Sequence, residues 1–590
     1  MANELYTNIP NNKLGDILAS IRNGKIGLPD LQRPFVWPNT KVRDLLDSMM
    51  KGYPIGYIMV WDSPDDFDSK KSVIGENEKA YQAPKELIID GQQRLTALVS
   101  ALYAVEIKDK NFAKRVIKIA YNPFTKIFEV NTPAYDKMPE WIPDISALFL
   151  AKDSISKFRK AYIIRLNEYR QKNSELPLTE DEEELVEKRM SELLSLDEYN
   201  IPTLDIASKS TEEDVADIFV RVNSGGQKLN QDNFILTLVS VYEPETRNVM
   251  DKFCADSRMP TDKTSYNHIL QVDPSHLVRM AVGIGFRRAR LEYAYKILRG
   301  KNLETGESSA SIRAENFETF NKSVFAAMNL NDWHAFLNIV AEAGYLSGKI
   351  IASSNAVVFS YVLYHIAKHD YKMDSMKLKR IIKRWFFMAS TTYFYSGNVE
   401  TDVEKQFADM KDVHSADEFE NYLERIIKSR FTADYFSMTL PMELETSASI
   451  SPSWFAFLAA QNILNIPMLF STTPYSKYLL PGSSGDKSAT DKHHIFPKHY
   501  LTGIGFERDR DRNQVANFTY LDYQRNIDIS DKNPAEYVVK YKQEFGEVIY
   551  QTHCDNHALP LGFEDMEYLD FLKKRRKLMA HIIQRGFNSL

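Results

Sequence analysis

Two adjacent histidines in the last quarter of the chain carry the most chemical information. They stand in Asp491-Lys492-His493-His494-Ile495-Phe496-Pro497, with Asn517 coming 23 residues after His494 and Asn526 nine residues later. Imidazole, with an ordinary pKa of about 6.5, is largely neutral at physiological pH and able to take a proton from water. A neighbouring side chain can hold a divalent ion, and a downstream amide can complete that ion's shell. Base, ion and amide together are what one-metal phosphodiester hydrolysis requires. A lone histidine would be as well explained by a core or surface position. The combination is what points to a site.

A second constellation lies in the first third. In Leu87-Ile88-Ile89-Asp90-Gly91-Gln92-Gln93-Arg94-Leu95 a strand ends at a carboxylate, a glycine turns the chain, and a helix begins. The helix N-terminus offers backbone N–H groups to an anion, and Arg94 adds a fork suited to phosphate. A tight βα turn with Asp90 as N-cap would explain the same residues without a ligand. Leu28-Pro29-Asp30-Leu31-Gln32-Arg33-Pro34-Phe35-Val36-Trp37 and Phe219-Val220-Arg221-Val222-Asn223-Ser224-Gly225-Gly226 flank this segment. No Gly-x4-Gly-Lys-Ser/Thr loop occurs, so any triphosphate hydrolysis is not of the P-loop kind. His553, Cys554 and His557 offer only three potential metal ligands, in an expected loop, a coincidence rather than a site.

With their order along the chain, the three N-terminal segments resemble the GmrS-type, ParB-like domain of GmrSD restriction enzymes over residues 8 to about 245. The His-His segment with its two asparagines resembles the HNH nuclease domain at the C-terminus of the same enzymes. The first resemblance implies a module that binds and hydrolyses a nucleoside triphosphate. Asp90, Gly91, Gln92, Gln93 and Arg94 would line the nucleotide site, supported by Gln32, Arg33, Arg221 and Asn223. For Arg33 and Arg221 an internal ion pair, for instance to Asp90, is the alternative. The second resemblance implies His494 as general base, Asn517 as the residue that orients the site, and His493 and Asn526 as metal ligands. Many members place an aspartate where His493 stands, and Asp491 could ligate instead. The expected ion is Mg²⁺ or Mn²⁺, although an imidazole ligand suits Mn²⁺ or Zn²⁺ better than Mg²⁺. Lys498, Arg525 and Lys532 would contact DNA phosphates. Lys492, Arg508, Arg510, Arg512 and the run Lys573 to Lys577 are further basic candidates. Lys383-Arg384-Trp385-Phe386-Phe387 and Tyr395-Ser396-Gly397-Asn398 resemble the helical portion that follows the family's N-terminal domain, without functional residues to carry over.

The elements that must position these residues follow from periodicity. Leu14 to Ile21 and Val42 to Met50 read as amphipathic helices, Tyr57 to Trp61 as a strand, Glu86 to Asp90 as a strand feeding a helix from Gln92 to about Tyr103. Val116 to Tyr121 and Lys126 to Val130 read as a hairpin. Thr179 with Glu182 forms a capping box within a Lys/Glu-rich insertion at 151–200. Thr203 to Ile206 reads as a strand, and Thr211 with Asp214 opens a helix carrying Val215 to Val222. Residues 246–450 are helical almost throughout, with Ala356 to Ala367 and Leu378 to Ser390 clearest. Core packing is the default explanation for the aromatics at 385–395. The expected fold is α+β and mostly helical. It comprises an N-terminal ParB-like α/β domain (1–245), a helical middle (246–450), and a C-terminal ββα-metal (HNH) nuclease domain embedded in helices (451–590).

The chain has 590 residues, 44% apolar, and a formal net charge of −6. A DNA enzyme with that balance must rely on local basic patches. Two cysteines, Cys254 and Cys554, exclude a disulfide framework and a four-cysteine zinc knuckle, and they suit a reducing cytoplasm. The apolar run from Trp454 to Phe470 is broken by polar residues and Pro467, so it reads as a buried helix, not a membrane span. The function these resemblances imply is that of a modification-dependent DNA endonuclease in phage defence, cutting modified phage DNA under nucleoside-triphosphate control. A phosphorothioate-sensing nicking nuclease is an alternative. So is a nucleotide-switched DNA-binding or toxin protein with a silent or host-directed HNH site. The helical middle could pair two copies as a homodimer, though no heptad run specifies it.

Overall fold

Hydrophobic periods of two and then 3.6 residues alternate along the first unit, and they produce a sheet with helices laid on it. The computed structural model describes residues 6–27, 35–62, 86–109, 113–207, 218, 231–259, 264–303, 305–479 and 490–590. Gln32, Arg33, Arg221, Asn223 and the helix expected over 215–222 lie outside these, apart from Ile218. The chain divides into two units, residues 1–248 and 249–590.

In the first unit, β1 (Tyr6–Lys13), β2 (Ile26–Gly27), β3 (Ile58–Asp62), β4 (Glu86–Asp90) and β7 (Asn200–Ile206) form one mixed sheet in the order β1-β7-β3-β4-β2. β7 runs antiparallel to β1 and parallel to β3, while β3 is antiparallel to β4. Helices α1 (Leu14–Arg22), α2 (Asn39–Met50) and α3 (Gln92–Tyr103) bury Leu14, Leu18, Leu46, Leu95, Leu98 and Leu102 in the core. β5 (Ile119–Asn122) and β6 (Ile127–Val130) make the expected hairpin. The charged insertion is a helical pair, α4 (Ile155–Lys172) and α5 (Glu180–Leu194). Its inner residues are Tyr162, Leu166, Val186, Met190 and Leu193. Arg170 grips Glu182 with both guanidinium nitrogens, at 2.9 and 2.8 Å. The Thr179 and Glu182 capping box is formed.

Among its described residues, the second unit is helical apart from one strand pair and isolated bridges. α6 (Pro274–Phe286) packs on α7 (Ala310–Ala327) and on α9 (Ser354–His365), which packs on α10 (Ser375–Thr391). α8 (Leu330–Glu342) lies against α9 and α10. Trp385, Phe386, Phe387 and Tyr395 are buried, so core packing accounts for them, while Tyr393 is exposed. α11 (Pro452–Ile463) ends in a turn, as its polar interruptions predict, and packs along the terminal helix α15 (Tyr568–Asn588). Gly586 meets Ala460 so closely that an added Cβ would lie 2.7 Å from the Ala460 Cβ, which is why the smallest side chains occupy that crossing. The protein is mostly helical α+β, and no described helix is long and apolar enough to cross a membrane.

Candidate functional site

β8 (Thr490–His494) and β9 (Phe518–Asp522) pair antiparallel, with His493 opposite Thr519 and His494 opposite Phe518. β9 runs directly into α12 (Tyr523–Ile529). Two strands and a helix therefore bring the first histidine segment and the last asparagine together. His493 Nδ1 lies 2.7 Å from Asn526 Oδ1, linking strand to helix, and the His493 side chain is 6% exposed.

Successive strand residues project to opposite faces. His494 accordingly has other partners. Its Nε2 is 2.9 Å from Asn513 Oδ1, and its ring stands edge-on to Phe518. A neutral ring that donates from Nε2 to the Asn513 oxygen would keep its lone pair on Nδ1. Asn513 escaped the sequence reading because it lies in the loop between the strands, four residues before Asn517, with no motif around it.

Asn517 is wholly buried, at 0% exposure. Its amide oxygen accepts from Phe496 N at 2.8 Å, and its Nδ2 donates to Phe496 O at 3.0 Å and to Arg512 O at 3.3 Å. It thereby ties the chain just past His494 to the start of β9. Behind β9, Arg575 is buried and donates to the carbonyls of Ala516 and Phe518, both at 2.8 Å, and to that of His557 at 3.2 Å. Burial pushes this guanidinium's pKa down to about 9. A basic run that reads as a DNA-facing stripe thus turns one member inward. Lys573, Lys574 and Lys577 stay exposed.

Among the other basic candidates, Lys498, Arg508 and Arg510 are exposed. Arg525 pairs with both oxygens of Glu544, and Lys532 Nζ donates to Asp528 O at 2.8 Å. A 560 Å³ cleft is lined by His499, Tyr500, Lys532 and Asn533. The side chains of Asp491 and Lys492 lie outside the described residues.

The His553, Cys554 and His557 group does not occupy a loop. It sits on α14 (Glu547–Asn556), which follows α13 (Pro534–Phe545), and at α14's C-terminal cap. His553 packs its ring against Phe545. His557 is held by Pro467 O at 2.9 Å and Thr519 Oγ1 at 3.2 Å, and burial drives its pKa down to about 3. Burial pushes the Cys554 thiol up to about 11. These are neutral packing residues.

In the first unit the Asp-Gly-Gln-Gln-Arg segment forms a strand–turn–helix. Gly91, not Asp90, occupies the N-cap of α3, at φ 91°. An added Cβ there would lie 2.3 Å from Ile58 Cδ1, so only glycine fits. Arg94 reaches back to Asp90 Oδ2 at 3.3 Å and donates to Ile55 O at 2.6 Å. The Gln93 side-chain oxygen Oε1 accepts from Val36 N at 3.0 Å, which binds the first motif segment to the second.

Residues 14–239 match the N-terminal domain of the GmrSD restriction endonuclease family, which makes a restriction-type nuclease the class this chain is similar to. A relative of similar extent is an uncharacterized protein, MJ0686, of Methanocaldococcus jannaschii. It is 22% identical over 556 residues, covering 89% of this chain and 85% of that protein.

Proposed function

We propose that this chain is a modification-dependent DNA endonuclease of phage defence. Residues 1–248 would sense DNA and a nucleoside triphosphate, and an HNH-type site on β8, β9 and α12 would cut. The observation that carries the reading is the meeting of His493 and Asn526 at 2.7 Å, with the neighbouring His494 turned to a separate amide.

The donor set fits an ion. An imidazole nitrogen and an amide oxygen from two rigid elements form half of a small coordination shell, of a kind Mn²⁺ or Zn²⁺ accepts more readily than Mg²⁺. A bound ion would polarise the scissile phosphate and neutralise charge on the departing oxygen. His494 Nδ1, carrying the lone pair, takes a proton from the attacking water as the new P–O bond forms and the bond to the leaving oxygen breaks. The leaving oxygen collects its proton from solvent. In-line displacement needs attack and departure on opposite sides of phosphorus. His493, holding the ion, and His494, taking the proton, would divide that labour. Asn513 holds the base's tautomer, and Asn517 fixes the strand end that carries it. Lys498, Arg508 and Arg510 supply exposed positive charge for the phosphates, so binding weakens steeply with salt. In the N-terminal domain, Asp90 to Arg94 would form the nucleotide site at the start of α3, with DNA reading gating the cut.

Matched DNAs test this: unmodified, glucosylated at hydroxymethylcytosine, and phosphorothioate, each with Mg²⁺ or Mn²⁺ and with or without triphosphate. Cutting confined to one modified DNA, abolished in His494→Ala, is the expected result. Equal cutting of all three would point to a general nuclease or toxin. Full cutting by His494→Ala would sink the assignment of the base.

A further inference from the structure

A third set of chemically capable residues lies far in sequence from both motifs, in the helical part of the second unit. Asp332 stands in the first turn of α8 and is buried. His365 closes α9, and His369 lies in the π-helical turn Ile366–Asp370 that continues it. One ligand atom from each of the three falls within 4.8 Å of the other two, and among the described residues this is the His/Cys/Asp/Glu group with such geometry.

We infer that Asp332, His365 and His369 bind one divalent transition-metal ion of the class that favours imidazole, such as Zn²⁺, Co²⁺ or Fe²⁺.

Three observations support the site. First, His369 Nε2 and Asp332 Oδ2 are already 2.8 Å apart, and the two imidazole centroids are 4.3 Å apart. Ligands about 2.1 Å from a tetrahedral ion lie about 3.4 Å from each other, so rotamer adjustment of His365 closes the shell without moving a helix. Second, His365 is 6% exposed and its Nδ1 is buried without a hydrogen-bond partner. A buried ring nitrogen left unpartnered costs free energy that a ligand would recover. Third, the two histidines are four residues apart where α9 passes into its terminal π-turn, a spacing that puts both rings on one face.

The carboxylate divides its two oxygens. Lys368 Nζ pairs with Oδ1, while Oδ2 faces His369. Lys368 therefore fixes the orientation of a monodentate ligand, as outer partners of metal carboxylates do. Two imidazoles and one carboxylate select against Mg²⁺ and Ca²⁺, which prefer oxygen shells. The His369 side chain is 40% exposed, so the remaining coordination position opens toward solvent for a water or a small anion. The rival account is a metal-free network in which Lys368 and His369 merely neutralise Asp332, and it predicts no stoichiometric ion.

The test uses the full-length chain carrying His493→Ala and Asn526→Ala, so that the C-terminal residues contribute no ion. The protein is stripped with chelator and titrated with Co²⁺, followed by its ligand-field absorption, then with Zn²⁺, followed by elemental analysis. One equivalent of Co²⁺ with tetrahedral or five-coordinate bands, displaced by Zn²⁺, is expected. His365→Ala and His369→Ala should each weaken binding about 100-fold or more. Because His369 is partly exposed, His369→Ala keeps its circular dichroism and serves where the buried His365 variant does not fold. Absence of stoichiometric Co²⁺ or Zn²⁺, or undiminished binding by folded His369→Ala, overturns the site.

Discussion

Replacing Asn517 by alanine separates what holds the C-terminal strand pair together from what reacts there. The amide satisfies Phe496 N–H and Phe496 C=O and adds a bond to Arg512 C=O. Arg512 C=O keeps a second donor, the Tyr568 hydroxyl at 3.3 Å, so two backbone groups rather than three lose their partner. Each buried orphan costs about 1–3 kcal/mol, giving about 2–6 kcal/mol for the variant. For a unit of this size that is a fall of roughly 3–8 °C in the transition of residues 249–590, read by scanning calorimetry of the full chain. Asn517→Asp should be no better. It keeps an acceptor for Phe496 N–H but buries an anion against two carbonyl oxygens. Phe496 lies two residues beyond His494, so cleavage below the new transition should also fall while DNA binding persists. A transition unchanged within error would refute the reasoning, because a solvent-free bridge cannot be removed without cost.

Three further outcomes are expected. Asn513→Ala should slow cleavage about 10–100-fold at unchanged DNA affinity by gel shift, since one hydrogen bond of about 1.5–3 kcal/mol sets the tautomer of His494. Gly91→Ala should destabilise residues 1–248 by about 2–5 kcal/mol in thermal unfolding, as φ 91° and contact with Ile58 both oppose a Cβ. The Glu182 carboxyl is held down to about 2 by Arg170 and by the Thr179 backbone. A depressed pKa gives stability that is complete above the unfolded value of about 4.5 and lost as pH falls toward 2. Hydrogen-exchange protection of α5 should decline across that window in wild type, and not in Glu182→Gln.

Elements governed by local pattern were legible in the sequence. Strand 86–90, helix 92–103 and the Thr179 box need only their own residues, and each forms as read. What the sequence hid depends on distant chain. Arg575 sits in a run of five basic residues, and only tertiary packing turns it toward three carbonyls. Asn513 becomes a partner of His494 because the intervening loop folds back. The polar residues around His553 suggested a loop, yet α14 is stabilised by burying Tyr550 and Cys554 against aromatic neighbours. The four-residue spacing of His365 and His369 was visible, but the carboxylate completing the group comes from another helix, 33 residues upstream.

The inward-turned Arg575 has a consequence for how this protein can be rebuilt. The chain on either side of Asn517, where β9 begins, is fastened to a helix more than 50 residues away, and that helix is keyed to Ala460 through Gly586. A histidine–asparagine cassette cut at 490 and 530 would leave both fastenings behind and graft poorly. The smallest piece that could move between proteins as a working part is set by those anchors: it must run from α11 through α15. Chimeras joined inside that span should express as misfolded chains, whatever the quality of their reacting residues.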